Sequence, residues 1–352
     1  MCVLCPTKWL ENSKGRKNMI LISYGTRPEW IKIKPLIKKF DGKLPFKLLF
    51  TGQHKHIIDE TSHEVVCLEI KDGINRLDSI VSSIMNNDEV FEGISSVIVQ
   101  GDTTSAFAVA LAAFHRRIKI IHLEAGLRTY DFDNPYPEEA NRQLIARLAD
   151  INLCPTQINS DNLLSEDVAG KIYVVGNTVL DNLTNIKTEY GKEIIITMHR
   201  RENHEIIPQW FAEIERLAVD YPQYDFILPI HPNPNVIKHR NILSKVKVID
   251  PLGYNDFINR LAKSRMIITD SGGIQEEASF LKKKAIVCRK ETERIEVVGK
   301  FSFLCDEPSG LNSLFKDVDK NHIPSGECPY GDGRASSKIL QILLKEGVAK
   351  NV

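Results

Sequence analysis

Short apolar runs alternate with longer amphipathic segments along the chain from Met19 onward. The runs are rich in Ile, Leu and Val and have strand length, whereas the segments between them have helical spacing of apolar residues. Strands that alternate with helices predict a parallel sheet with helices on both faces. The first series of runs comprises residues 19–24, 46–50, 95–100, 119–123, 151–154 and 171–176.

The alternation restarts after a helix and a linker near residues 180–192. The second series of runs comprises residues 193–198, 224–230, 245–250, 265–270 and 284–288. A chain of 352 residues also fits two domains of about 150 residues each. We therefore predict an α/β protein with two Rossmann-like, doubly wound domains at residues 19–182 and 183–335. The amphipathic segment 336–352 either closes the second domain or crosses back to the first.

Composition excludes several classes of protein. The 46 basic and 46 acidic residues balance, which does not favour nucleic-acid binding. The longest apolar run, residues 106–114, has nine residues, whereas a membrane-spanning helix needs about 20. The seven cysteines are scattered, a pattern typical of reduced thiols. These features predict a cytoplasmic protein without membrane insertion.

The N-terminal segment carries no pattern of the fold. Cys2 and Cys5 form a lone CxxC, and a zinc site needs a second pair of ligands at suitable spacing, which is not evident. We predict that residues 1–18 are a dispensable extension and that no metal binds there.

In open α/β sheets, ligands bind beyond the carboxyl ends of the strands. The loop after the first strand, YGTRPEWIK, places Arg27 and Lys32 near the start of a helix, with Gly25 in the turn. This arrangement predicts an anion site. An ordinary strand-to-helix turn with exposed basic residues explains it equally well.

A second glycine turn, TDSGGIQEEAS, follows a strand of the other domain. Ser271, Gly272 and Gly273 would present backbone N–H groups and the helix dipole to a phosphate. Glu277 could accept from the two hydroxyls of a ribose, and Arg294 could bond the same phosphates. As an alternative, Glu276 and Glu277 would offset the helix dipole from the first helical turn. Arg294 would in turn pair at the surface with Glu291 or Glu293.

Two histidines also follow strands of the second domain. His199 stands beside Arg200, Arg201 and Glu202, and His231 lies in the proline-rich turn HPNPN. Each is a candidate for ligand contact. A solvated loop is the alternative for the first, and a structural histidine is the alternative for the second.

Three carboxylates of the first domain lie at neighbouring strand ends. Asp102 follows one strand, Glu124 directly ends the next, and Glu138 begins a helix. Each has a structural explanation: Asp102 as a helix N-cap, Glu124 paired with Arg128 or a ligand, and Glu138 paired with Arg142. Together they favour acid/base chemistry in a cleft.

The remaining acids of this stretch have simpler explanations. Asp131 and Asp133 match the metal-binding DxD of some glycosyltransferases, but this spacing is common by chance. We interpret both as loop acids and expect Glu139 to face solvent.

These loops, taken in order, resemble the non-hydrolysing UDP-N-acetylglucosamine (UDP-GlcNAc) 2-epimerase family from Met19 to the C-terminus. The matching motifs are GTRPE (25–29), TGQH (51–54), QGDTTS (100–105), HLEAGLRT (122–129), YPEEANR (136–142), GNT (176–178), HRRE (199–202), HPNPN (231–235), DSGGIQEE (270–277), TER (292–294) and PYGDG (329–333).

The resemblance implies a GT-B-like fold with UDP in a cleft between the domains and a C-terminal helix crossing back to the first. It implies a homodimer that needs neither a nicotinamide cofactor nor a metal. The implied catalytic residues are Asp102, Glu124, Glu138 and His199. The implied contacts to UDP and its phosphates are Arg27, Lys32, His231, Ser271, Gly272, Gly273, Glu277 and Arg294.

The implied reaction is the reversible epimerisation of UDP-GlcNAc at C2, which yields UDP-N-acetylmannosamine (UDP-ManNAc) for polysaccharide synthesis. UDP leaves C1, C2 loses its proton to give 2-acetamidoglucal, and UDP adds back after protonation from the other face. Alternatives are a hydrolysing epimerase that releases ManNAc, a GT-B glycosyltransferase, and a non-enzymatic nucleotide-sugar sensor. The Pro28-Glu29 pair of the first loop favours the non-hydrolysing branch.

Two positions depart from the family pattern. Bacterial relatives usually have proline where this chain has Ile295, and often a second glutamine where this chain has His56. In some members, the region that corresponds to His56 takes part in allosteric activation by the substrate. We therefore do not predict such activation for this chain.

Overall fold

The computed structural model describes residues 18–54, 61–71 and 73–348. Cys2, Cys5 and His56 lie outside these residues, as does the proposed extension up to residue 17. The chain divides into two compact units. Unit 1 contains the residues up to Asp181 and those from Gly333 onward, and unit 2 is Asn182–Asp332.

Unit 1 is built on a seven-stranded parallel sheet. Its strands are β1 (Met19–Tyr24), β2 (Phe46–Phe50), β3 (Val65–Cys67), β4 (Ile94–Gln100), β5 (Lys119–Leu123), β6 (Ile151–Cys154) and β7 (Lys171–Val174). Their order in the sheet is β3-β2-β1-β4-β5-β6-β7. The direction of winding reverses between β1 and β4, and ligands of doubly wound folds bind at this switch point.

Helices cover both faces of this sheet. The first five are α1 (Arg27–Phe40), α2 (Arg76–Met85), α3 (Thr104–His115), α4 (Glu138–Leu148) and α5 (Gln157–Ser165). In β1, Ile20 and Ile22 belong to the core that includes Trp30 of α1, whereas Leu21 belongs to the core that includes Ala108 of α3. Because both faces are covered, the central strands are continuous apolar runs.

Unit 2 repeats this design with six parallel strands. They are β8 (Glu193–Thr197), β9 (Asp225–Pro229), β10 (Lys247–Ile249), β11 (Met266–Thr269), β12 (Lys284–Val287) and β13 (Ser302–Leu304), in the order β10-β9-β8-β11-β12-β13. Its helices are α6 (Ile207–Asp220), α7 (Pro234–Ile237), α8 (Tyr254–Lys263), α9 (Gly272–Phe280) and α10 (Leu311–Lys320). The switch point lies between β8 and β11.

The predicted strands are confirmed, and two further strands were missed. Both β3 and β13 have three residues and lie at a sheet edge. The edge strand β10 is equally short, but it was identified because it lies within the alternating run at residues 245–250. None of the helices in the described ranges is long and apolar enough to cross a membrane.

The last helix, α11 (Ala335–Lys345), packs against α1 in unit 1. Its residues Ile339 and Leu343 are fully buried in the core that contains Trp30. The carboxylate of Asp181 accepts hydrogen bonds from Ala335 N at 3.0 Å and from the next amide at 2.8 Å. Asp181 therefore caps this helix from the residue at which the chain leaves unit 1.

Asp181→Ala should weaken the attachment of α11. Loss of a side-chain cap costs about 1 kcal/mol, so we expect faster hydrogen exchange at the amides of α11 and an earlier urea transition for unit 1. Asp161→Ala, which removes an exposed acid from α5 of the same unit, is the matched control. Equal exchange in the two variants would contradict the capping role.

Candidate functional site

The N-terminus of α1 is closed by an internal acid. Glu29 accepts hydrogen bonds from Gly25 N at 2.8 Å and from Thr26 N at 2.6 Å. Burial raises the pKa of Glu29, and the hydrogen bonds that it accepts oppose this shift. These amide groups are therefore not free for a phosphate, and for the backbone of this loop the ordinary-turn interpretation is correct.

The two cations of this loop differ in their surroundings. Arg27 is exposed, whereas Lys32 Nζ lies 2.5 and 2.6 Å from the two carboxylate oxygens of Glu124. Glu124 also accepts hydrogen bonds from Gln100 Nε2 and, at 3.3 Å, from Asn177 Nδ2. The first loop thus supplies a counter-ion to a proposed catalytic acid.

Glu124 ends β5 in a left-handed backbone conformation, with φ of 66°. This conformation is uncommon outside glycine and often occurs at functional positions. Of the two partners considered for Glu124, Arg128 or a ligand, Arg128 is not bonded to it here but pairs with Glu166 at 2.6 and 2.9 Å. Sequence proximity favoured Arg128, and the fold brought Lys32 from the helix after β1.

Asp102 is not a helix cap. The side chain of Thr103 accepts from Ala106 N at 3.1 Å and caps α3. Asp102 Oδ2 instead accepts from Arg142 Nε at 3.0 Å and from Arg142 Nη2. Asn141 Nδ2 donates to the main-chain carbonyl of Asp102 at 2.9 Å. The helix-cap explanation for Asp102 is thereby removed, and α4 is identified as the element that holds it.

Glu138 is the first residue of α4 and is half-buried. It lies one turn before Arg142, which bonds Asp102 on the loop after β4. Gln100, at the end of β4, bonds Glu124. The loops that carry the three predicted carboxylates are therefore joined by side-chain hydrogen bonds at the switch-point edge.

Glu139 does not face solvent, contrary to the sequence-based expectation. Its exposed fraction is 0%, and it accepts hydrogen bonds from Thr129 N at 3.0 Å and from Arg142 Nη1 at 3.2 Å. The helical spacing of α4 was not sufficient to reveal this burial. Asp131 and Asp133 are exposed loop acids, as expected.

In unit 2, the N-terminus of α9 has no side-chain cap, although Ser271 N donates to Thr269 Oγ1 at 3.0 Å. The helix begins at Gly272, and the side chain of Ser271 makes no capping hydrogen bond. A Cβ atom at Gly272 would lie 3.0 Å from Arg294 Nη1 and 3.6 Å from Arg200 Nη2, whereas one at Gly273 would meet no atom within 4 Å. Two guanidinium groups thus lie beside a helix N-terminus, an arrangement suited to an anion.

Arg294 belongs to a buried network rather than to a surface pair. Its Nε lies 2.9 Å from Glu276 Oε1, and its Nη1 lies 3.3 Å from Glu293 Oε1. All three side chains are at least nine-tenths buried. Neighbouring carboxylates therefore set the orientation of the guanidinium group.

Glu277 accepts a hydrogen bond from Tyr254 OH at 2.8 Å. Burial, together with the charge of Glu277, raises the pKa of Tyr254, so the phenol stays protonated and donates. Glu276 and Glu277 lie beyond the first turn of α9. Their interpretation as acids that offset the dipole in the first turn is therefore wrong.

Asp270, which the sequence did not single out, organises the loop after β8. It is fully buried. Its Oδ2 accepts from His199 N at 2.9 Å, from Arg200 N at 2.8 Å and from Asn203 Nδ2 at 3.1 Å. The His199 ring stacks on His231 with centroids 5.0 Å apart. The two predicted histidines are thus brought together.

Comparisons with known proteins identify the family of this chain. A family model described as UDP-N-acetylglucosamine 2-epimerase matches residues 38–344. The chain belongs to the UDP-N-acetylglucosamine 2-epimerase family. The family has a GT-B-like fold of two doubly wound α/β units, as predicted.

Relatives within the family match nearly the whole chain. A Campylobacter jejuni UDP-N-acetylglucosamine 2-epimerase is 38% identical over an alignment that covers 93% of this chain and 97% of the relative. The Neisseria meningitidis UDP-GlcNAc 2-epimerase bound to UDP-GlcNAc is 35% identical, with a TM-score of 0.83, 93% of this chain covered and 100% of that one. The S. aureus MnaA–UDP co-structure is 33% identical, with a TM-score of 0.83 and 94% and 97% covered.

Neither histidine of this family member is favoured in its charged form. Burial lowers the pKa of His199, and Asp270 opposes that shift. Burial likewise lowers the pKa of His231. Both imidazoles are therefore neutral at pH 7.

In the described part of the chain, no three acidic, histidine or cysteine side chains come close enough to hold a metal ion.

The titration of His199 tests this description. We expect the NMR midpoint of its Cε1–H resonance to lie below the ordinary value of about 6.5. Asp270→Asn should lower the midpoint further, because it removes the charge that raises the pKa. His231→Gln should raise it, because charged His231 disfavours a charged His199. A wild-type midpoint above the ordinary value would contradict the description.

Proposed function

We propose that this protein is an isomerase that interconverts UDP-GlcNAc and UDP-ManNAc by epimerisation at C2, without net hydrolysis. The observation that carries the proposal is the hydrogen-bonded set of acidic loops around Asp102 and Glu124 at the switch point of unit 1. The uncapped, cationic N-terminus of α9 supports nucleotide binding. Relatives at 35% and 33% identity are described as bound to UDP-GlcNAc and to UDP.

Unit 2 is proposed to hold the nucleotide. The amides of Gly272 and Gly273 and the hydroxyl of Ser271 would donate to the diphosphate, and Arg294 would add a charge-assisted hydrogen bond. Glu277, held by the phenol of Tyr254 at 2.8 Å, would accept from the ribose hydroxyls.

The two histidines are assigned next to this nucleotide. We propose that His231 contacts UDP and that His199 takes part in catalysis. His199 would act as a neutral imidazole, which can donate a hydrogen bond to the departing phosphate without carrying a permanent positive charge. Its stacking on His231 fixes the plane of the ring.

Unit 1 is proposed to act on the sugar. The C2 proton is not adjacent to a carbonyl, so direct removal by a carboxylate would be slow. The C1–O bond therefore breaks first, and its electron pair leaves with UDP. A carboxylate then takes the C2 proton to form the double bond of 2-acetamidoglucal. Protonation of C2 from the opposite face and return of UDP to C1 complete the epimerisation.

Asp102, Glu124 and Glu138 are the proposed acid, base and cation-stabilising groups for these steps. Both oxygens of Glu124 lie close to Lys32 Nζ, so a base function requires release of at least one oxygen. An incoming diphosphate offers Lys32, and also Arg27, a competing anionic partner. We propose that substrate binding frees Glu124 in this way.

The wider setting is also proposed from the family resemblance. We propose a cytoplasmic homodimer that needs no nicotinamide or metal and whose product supplies polysaccharide synthesis.

Incubation with UDP-GlcNAc in deuterated water tests the reaction. NMR should show UDP-ManNAc, with deuterium at C2 of the sugar, in the presence of EDTA. Deuterium enters because the proton that returns to C2 comes from a group that exchanges with solvent.

The same experiment separates the alternatives. Accumulation of free ManNAc and UDP would indicate the hydrolysing branch. Sugar transfer only after an acceptor is added would indicate a glycosyltransferase. Binding of UDP-GlcNAc with an unchanged sugar would indicate a sensor.

Charge removal at the three acids should reduce turnover. Asp102→Asn, Glu124→Gln and Glu138→Gln are each expected to lower kcat by about 100-fold or more, the usual contribution of a general acid or base. UDP affinity, measured by calorimetry, should change little for Asp102→Asn and Glu138→Gln, because neither residue is a proposed nucleotide contact. It should not fall for Glu124→Gln, which frees Lys32 for the diphosphate. Asp131→Asn, at an exposed acid of the same stretch, is the control. Near-normal turnover in any variant would remove that residue from the catalytic set.

A further inference from the structure

Glu139 is a fully buried carboxylate to which four groups donate hydrogen bonds. Its Oε2 accepts from Thr129 N at 3.0 Å and from Arg142 Nη1 at 3.2 Å. Its Oε1 accepts from Tyr130 N at 3.2 Å and from Gln143 Nε2 at 2.7 Å. Four donors satisfy the lone pairs of a buried carboxylate, which would otherwise be costly to desolvate.

Arg142 connects this carboxylate to Asp102. The guanidinium group is 4% exposed and donates from Nη1 to Glu139 and from Nε and Nη2 to Asp102. Because a guanidinium group is planar and its N–H directions are fixed, the position of Glu139 sets the direction from which Arg142 meets Asp102. Oδ2 of Asp102 receives both hydrogen bonds.

Glu139 also fixes the chain that leaves Glu124. The segment from Glu124 continues to Thr129 and Tyr130, whose main-chain amides both donate to Glu139. Tyr130 has φ of 59°, a conformation that tyrosine rarely adopts and that needs support from its surroundings. One buried side chain is thus bonded to the loop that follows Glu124 and to the arginine that holds Asp102.

We propose that Glu139 is a positioning residue for the reaction: it acts through Arg142 to hold Asp102 and through the amides of Thr129 and Tyr130 to hold the loop that begins at Glu124. This inference rests on the proposed epimerase function. Glu139 is completely buried, so it acts without touching the substrate. The position favours a carboxylate, because the two main-chain amides and Arg142 can only donate to it. The amide nitrogen of a glutamine would face at least one of these donors, although Gln143 could turn its own oxygen toward it.

Glu139→Gln is therefore expected to lower kcat by about 100-fold, the effect of displacing a catalytic group by about 1 Å. KM for UDP-GlcNAc and the Kd for UDP should stay within about threefold of wild type, because none of the four partners of Glu139 is a proposed nucleotide contact. Arg142→Lys keeps the charge but loses the planar fork, and it should show the same selective loss of kcat. Arg147→Met removes an exposed arginine from the same helix and should retain wild-type kcat.

A double-mutant cycle tests whether the two residues act through one connection. If Glu139 acts in part through Arg142, the variant Glu139→Gln/Arg142→Lys should lose less kcat than the product of the two single losses. If the two substitutions only weaken the fold independently, their effects on kcat should multiply. Near-UV circular dichroism spectra and melting curves are recorded for every variant, and kcat is measured at a temperature well below the lowest Tm.

Multiplying effects would overturn the route through Arg142, and a near-normal kcat for Glu139→Gln would overturn the whole proposal. If Glu139→Gln does not fold, Arg142→Lys decides: a selective loss of kcat supports the proposal, and an unchanged kcat overturns it. Failure of the proposed function is distinguishable, because the wild-type protein would then form no UDP-ManNAc.

Discussion

Buried carboxylates that accept several N–H donors hold the loops on which the proposed site depends. A loop that leaves a parallel sheet loses the backbone partners that the sheet supplied, and a buried acid is costly unless donors surround it. The main-chain N–H groups of such a loop supply the donors that the buried acid needs, and the acid supplies the acceptor that the loop needs. Glu139 accepts the amides of residues 129 and 130 in unit 1, and Asp270 accepts those of residues 199 and 200 in unit 2. The loops therefore have defined positions without regular secondary structure.

The two units have the same strand order at their switch points, but the helix N-termini that lie there differ. In unit 1 the start of α1 is occupied by Glu29, which also accepts from Thr103 at 2.7 Å and so links α1 to the loop that carries Asp102. In unit 2 the start of α9 is uncapped and lies beside Arg294. A helix N-terminus binds an anion only where its amides remain available. This difference explains why we assign the nucleotide to unit 2 and the acid chemistry to unit 1.

Much of the fold followed from sequence patterns because the central strands are buried on both faces and therefore appear as continuous apolar runs. The edge strands β3 and β13 were missed, whereas the equally short β10 was found because it lies within an alternating run of six residues. The errors at helix starts arose because residue type alone does not fix the residue at which a helix begins. Asp102 and Thr103 are both good caps by composition, and only the backbone geometry shows that Thr103 is the cap. In α9, the helix begins early enough to move Glu276 beyond its first turn.

The sequence by itself determined the α/β class, the central strands, the family motifs and the polar residues that follow each strand. These properties are local, since they depend on residue type and on spacing along the chain. Only the tertiary structure decided the partners of the charged groups. Lys32 meets Glu124 across 92 positions of sequence, and Arg142 meets Asp102 across 40. A buried charge pairs with whichever group the packing of non-adjacent loops brings within about 3 Å, and spacing along the chain does not specify that group.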